Sequence, residues 1–119
     1  MEKVIRIDDK EVRLKITGGT TYRYKAQTGR EYLTDVIELE EKQRICTDES
    51  GKLDIKRFIS VINLNVIYEI IWAMAKTADD TIPDPLSWLD TFEKFPVFSV
   101  WSDIRELLFS NAKVDRKNV

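Results

Sequence analysis

The side chains that could do chemistry in this sequence are carboxylates, hydroxyls and amines. Its 119 residues include no histidine and one cysteine, Cys46. Lacking histidine, the chain has neither the commonest general base nor the commonest metal ligand. With a single thiol it cannot form a zinc site of the usual Cys and His kinds on its own. The densest carboxylates are Glu38, Glu40, Glu41, Asp48 and Glu49. Paired carboxylates serve hydrolases and magnesium sites. These fall on a charged helix face and a polar loop, with no apolar run beside them to raise a pKa, so a solvated face is the plainer reading. The loop TDESG lacks the alternating oxygen ligands of an EF-hand.

Two further patterns fail on their chemistry. Gly18-Gly19 followed by threonines could open a phosphate-binding turn, but no Gly-Lys-Ser or Gly-Lys-Thr ending follows. A strand-to-helix break is the simpler role, with Thr20 or Thr21 capping the helix. Tyr22, Arg23, Tyr24 and Lys25 interleave rings and bases as single-strand binders do. The net charge of -2 gives no electrostatic footprint for nucleic acid or an anionic membrane, so Tyr22 is read as core and Arg23 as surface. No residue is assigned a catalytic, cofactor-binding or metal-binding role, and no enzyme is expected. The unpaired Cys46, and an N-terminus without the apolar stretch of a secretory signal, point to a cytoplasmic protein.

The feature least readily given to the core alone is aromatic. Trp88, Phe92, Phe95, Phe98 and Trp101 fall in a short span around Pro96. Most should be buried, since aromatics dominate cores. Phe95, Phe98 and one tryptophan are candidates for partial exposure as partner-binding anchors.

The elements that must position these residues are organised around DIKRFISVINLNVIYEIIWAMA, Asp54 to Ala75. Read as one helix it would run roughly 33 Å. Two apolar stripes, Ile55-Ile59-Ile62-Val66-Ile70-Ala73 and Phe58-Val61-Leu64-Ile67-Ile71-Ala75, nearly meet, as on a helix covered on most sides. Lys56, Arg57, Asn63, Asn65 and Glu69 interrupt it too often for a bilayer.

Before it, Lys3 to Asp8 and Glu11 to Thr17 form a hairpin with one apolar face. A helix then runs to Thr28, stopped at Gly29. Another runs from about Arg30 to Arg44, with Tyr32, Leu33, Val36 and Ile37 inward. Asp84-Pro85 starts a short helix carrying Leu86, Leu89 and Phe92 or Glu93. A last helix runs from Val97 or Ser99 to Asn111, with Val97, Trp101, Ile104 and Leu108 on one stripe. The expected fold is therefore a single α+β domain: a β-hairpin (1–17) packed on a bundle of about five helices (18–111), then a frayed polar tail (112–119).

The hairpin leading into ITGGTTYRYKAQTGREYL, followed by WAMAKTADDTIPDPLSWLDTFEKFP, resembles the tail assembly chaperones of long-tailed bacteriophages. The similarity is closest to those of phages and prophages of Gram-positive bacteria and extends from Ile5 to about Phe109. The family often has Asp-Gly at the hairpin turn, where this chain has Asp8-Asp9. The resemblance implies a non-enzymatic helper in the host bacterial cytoplasm, absent from the mature virion. Its implied partners are the tape-measure protein, which it keeps soluble, and tail-tube subunits, which it helps recruit; self-association is left open. The family carries no catalytic residues or cofactors to transfer. It also implies a minor, longer product made by ribosomal slippage. Arg116-Lys117-Asn118 can be encoded with the slippery run A-AAA-AAC just before the terminal Val119. A small cytoplasmic adaptor domain of unrelated origin is the alternative reading.

Overall fold

The computed structural model describes residues 1–110. The expected tail at 112–119, the end of the helical part at Asn111 and the recoding site at Arg116–Asn118 lie outside the described residues. The chain is α+β: strands β1 (Glu2–Ile7) and β2 (Lys10–Lys15) form an antiparallel hairpin. Six helices follow: α1 (Gly18–Thr28), α2 (Tyr32–Ile45), α3 (Ile55–Val61), α4 (Leu64–Ala78), α5 (Pro85–Leu89) and α6 (Val97–Ile104). A 3₁₀ turn at Arg105–Leu107 continues α6, where an α-helix to Asn111 was expected.

The hairpin turn holds Asp8 and Asp9 at φ 51° and 64°. Two successive positive φ values define the type I′ geometry that matches strand twist. Aspartate tolerates this region better than most residues, so the missing glycine does not change the turn. Ile5, Ile7, Val12 and Leu14 share the buried face. Thr17, rather than Thr20 or Thr21, caps α1: its Oγ1 accepts from the Gly19 amide at 3.1 Å. Gly18-Gly19 are thus the first helical residues, not a break. Gly29 ends α1 at φ 76°, a conformation costly for any residue with a Cβ.

The main correction concerns the central stretch. It is two helices, α3 and α4, meeting at 90°. Ile62 is extended, with φ -117° and ψ 162°. Asn63 caps α4, its Oδ1 accepting from the Asn65 amide at 3.0 Å. The hydrophobic period continues through this break, which is why periodicity alone reads one helix. The break supplies the sixth helix where about five were expected. Among the described residues no single helix is long and apolar enough to cross a membrane.

The core centres on α4, where Ile67, Ile70, Ile71 and Trp72 to Ala75 are buried. The hairpin and α1 pack on it. Thr20 Oγ1 bonds Thr77 Oγ1 at 2.9 Å, and Trp72 Nε1 donates to the Pro83 carbonyl at 2.7 Å. From α2, Tyr32 Oη donates to the Leu108 carbonyl at 2.9 Å. The stripe Val97, Trp101, Ile104 and Leu108 is buried as expected. Three inward assignments fail. Ile37 is exposed and Leu39 takes the buried position on α2; Leu86 is exposed and Trp88 turns inward; Tyr22 is 78% exposed and Tyr24 is buried. Each error is one of helical phase.

Candidate partner surface

The segment around Pro96 does not present one aromatic surface. Trp88, Phe92 and Phe95 pack edge to face, with ring centroids 5.2 to 5.9 Å apart, and Tyr68 of α4 closes the group 5.4 Å from Phe95. Lys10 Nζ lies 5.1 Å from the centre of the Phe92 ring, a cation–π contact that seals its open face. Phe98 points elsewhere, toward Phe58 of α3 at 6.1 Å. Trp101 Nε1 donates to Gln43 Oε1 of α2 at 2.8 Å, satisfying the indole inside the core. Trp88, Phe92 and Trp101 are buried and cannot meet a partner directly; Phe95 and Phe98 are half-buried.

The exposed apolar surface lies instead on α3. Ile55, Ile59 and Val61 are 47%, 45% and 42% exposed, and Phe58 is the one fully buried side chain of that helix. Exposed Ile45, at the end of α2, stands beside Ile55 across an open groove of about 610 Å³ lined also by Cys46 and Leu53. The groove's acids are occupied. Asp54 caps α3 through the Arg57 amide at 3.1 Å. Asp48 accepts from Ser50 Oγ at 2.6 Å and the Lys52 amide at 2.9 Å, and these bonds hold its carboxyl below the usual range. Lys52, Lys56 and Arg57 line it too, Arg57 donating to the Ile45 carbonyl at 3.4 Å, so the groove has apolar residues and a polar edge of mixed charge.

This surface was missed in the sequence because its isoleucines keep helical spacing with the buried ones of α4. The available signal was polar density. Lys56, Arg57, Ser60 and Asn63 fall within nine residues of Ile55, whereas Glu69 alone is charged from Leu64 to Ala75.

The polar groups brought together elsewhere are structural. Arg30, after α1, donates to Asp35 of α2 at 3.0 Å and to Glu69 of α4 at 2.7 Å. Tyr24 Oη donates to the same Asp35 carboxylate at 2.6 Å. Burial, and then that bond, raise the Tyr24 phenol above its ordinary value, so it is a fixed donor. Glu38, Glu41, Asp48 and Glu49 are exposed, and Glu40 forms a two-pronged pair with Arg105 at 3.0 and 2.7 Å. Among the described residues no group of three acidic or thiol side chains could hold a metal ion. Comparison with protein families, with characterised proteins and with solved structures gives no significant match.

Proposed function

We propose that this protein is a tail assembly chaperone of a long-tailed bacteriophage. In this reading it is a non-enzymatic helper of the host cytoplasm, absent from the mature virion. It binds the tape-measure protein, keeps it soluble and helps recruit tail-tube subunits. The structural observation that best supports the reading is the apolar face of α3 beside its groove. Two exposed isoleucines one helical turn apart, Ile55 and Ile59, next to a groove whose polar edge is of mixed charge, suit the apolar stripe of a long helical partner. The resemblance to the chaperones from Ile5 to about Phe109 supplies the partner's identity, and α3 with Ile45 is the surface we propose to hold it, with the half-buried Phe95 and Phe98 as further candidates.

The test is co-expression with the tape-measure protein of the same genome, whose gene should lie just downstream and encode a very long helical protein. Wild type should keep that protein soluble. The Ile55→Ser/Ile59→Ser variant should lose the effect at unchanged melting temperature, since an apolar anchor contributes on the order of 2 kcal/mol to binding. A tape-measure protein that stays insoluble with wild type defeats the reading. Solubility with both forms would move the surface away from α3.

A further inference from the structure

We propose that the free edge of β1 pairs antiparallel with the same edge of a second copy of this chain, centred on Val4, to form a continuous four-stranded sheet across a two-fold axis. The hairpin's hydrogen-bond parity shows which groups are free. The Ile16 amide donates to the Met1 carbonyl at 2.9 Å, and the Met1 amine donates back to the Ile16 carbonyl at 3.3 Å. Pairs two residues apart repeat that pattern, so Lys3–Leu14, Ile5–Val12 and Ile7–Lys10 are the bonded pairs of the ladder. The amides and carbonyls of Glu2, Val4 and Arg6 therefore point away from β2. Among the described residues nothing bonds to them. An open edge of this kind is a template for another strand.

The edge is also self-complementary. About Val4, a two-fold places Val4 against Val4 and Glu2 against Arg6 on both sides, in positions that exchange both main-chain hydrogen bonds. Val4 is 53% exposed, and Glu2 and Arg6 are exposed on the same wet face. Within the hairpin Glu2 stands opposite Lys15 and Arg6 opposite Glu11, and the exposed Glu2 carboxylate accepts from Arg13 Nε at 3.0 Å. Across the joined sheet each outer row would then read Lys15, Glu2, Arg6, Glu11, with the last two from the second copy. Charge alternates at every step, the favourable arrangement for cross-strand neighbours. On the opposite face Lys3 meets Ile5, its Nζ already held by the Asp103 carbonyl at 2.7 Å and Glu106 at 2.8 Å. The β2 edge would match its flanks equally well, Glu11 against Lys15, but it fails at the centre. Its equivalent centre sets Arg13 against Arg13, and its Lys15 carbonyl already accepts from Thr20 Oγ1 at 3.4 Å.

Sedimentation of the untagged protein over a concentration series tests this without any tape-measure protein, so its outcome is separate from the functional reading. Wild type should show a concentration-dependent dimer. Val4→Pro removes the central outward amide without touching the β1–β2 ladder and should leave a folded monomer. Glu2→Lys and Arg6→Glu each set like charges opposite one another and should weaken self-association about tenfold. Mixed together, those two variants restore opposite charges in both rows and should associate with near wild-type affinity. A wild type that stays monomeric overturns the proposal. So does a dimer unchanged by all three substitutions, or a mixture no tighter than either variant alone. Should Val4→Pro fail to fold, the charge-reversal pair decides the matter.

Discussion

Helices α3 and α4 come from one apolar stretch of similar hydrophobic period, yet they end in opposite environments. On α4, the residues Ile70 to Ala75 are all buried beneath the hairpin and α1. On α3, Phe58 alone is fully buried, and Ile55, Ile59 and Val61 face solvent. Period states that a helix has an apolar side; it does not state that anything covers that side. What divides the two is where the chain can find a second layer. The hairpin face, too small to be stable alone, needs a helix against it and takes α4. The turn at Ile62-Asn63 swings α3 away while keeping Phe58 against Phe98.

The largest effect should separate these helices. Ile71→Ala on α4 opens a cavity in a fully buried position and should cost about 4 kcal/mol, read as a lower urea midpoint. A loss below about 1 kcal/mol would mean α4 is not the packed centre.

Alkaline pH should act through α1 and α2, which carry Tyr24 and Tyr32. Burial lifts the phenols of Tyr24 and Tyr32 above their ordinary value of 10.0, with the Asp35 bond adding to the shift at Tyr24. The folded state therefore holds these protons more tightly than the unfolded chain. Their stabilisation is whole below about pH 10 and is lost as pH rises beyond it. Tyr24→Phe leaves Asp35 without that donor, costing about 1–2 kcal/mol at neutral pH. Combined with Tyr32→Phe, it should flatten the fall in stability above pH 10. An alkaline slope equal to that of wild type would count against this account.

The bend itself should be smaller in energy than the packing it permits. Asn63→Ala removes the cap on α4 and should cost about 1 kcal/mol. Far-ultraviolet circular dichroism should show no gain of helix, because straightening would pull Phe58 out of the core. A clear rise in helicity would place the cause of the bend in Asn63 rather than in packing.

Much of this was legible from local signals and little from periodicity. Asp54, Asp84-Pro85 and Gly29 are helix signals set by groups within four residues, and each stands where its chemistry puts it. The hairpin was legible because a period of two has only two phases. Helical phase was not: Ile37 and Leu39, Tyr22 and Tyr24, Leu86 and Trp88 stand two residues apart, on nearly opposite sides of a helix, and the next layer decides which of each turns inward. The aromatic span was harder still. Trp88, Phe92 and Phe95 close on Tyr68, and Trp101 on Gln43, through contacts with helices far away in sequence.

The smallest expected effect bears most on the comparison. Ile59→Ser on α3 exchanges one exposed side chain for another and should change stability by no more than about 0.5 kcal/mol. In a helix buried on all sides, the same exchange would forfeit the transfer of an isoleucine into the core and leave a hydroxyl unpaired there, several times that amount. Chemical denaturation of Ile59→Ser beside Ile71→Ala therefore measures how far the two halves of the stretch differ. Equal losses would mean that α3 is packed in solution as α4 is, and its isoleucines would then be core rather than surface. A near-zero loss for Ile59→Ser leaves a question folding does not answer: why an isoleucine stands there, where serine would be as stable and more soluble. The partner proposed for α3 would supply that reason.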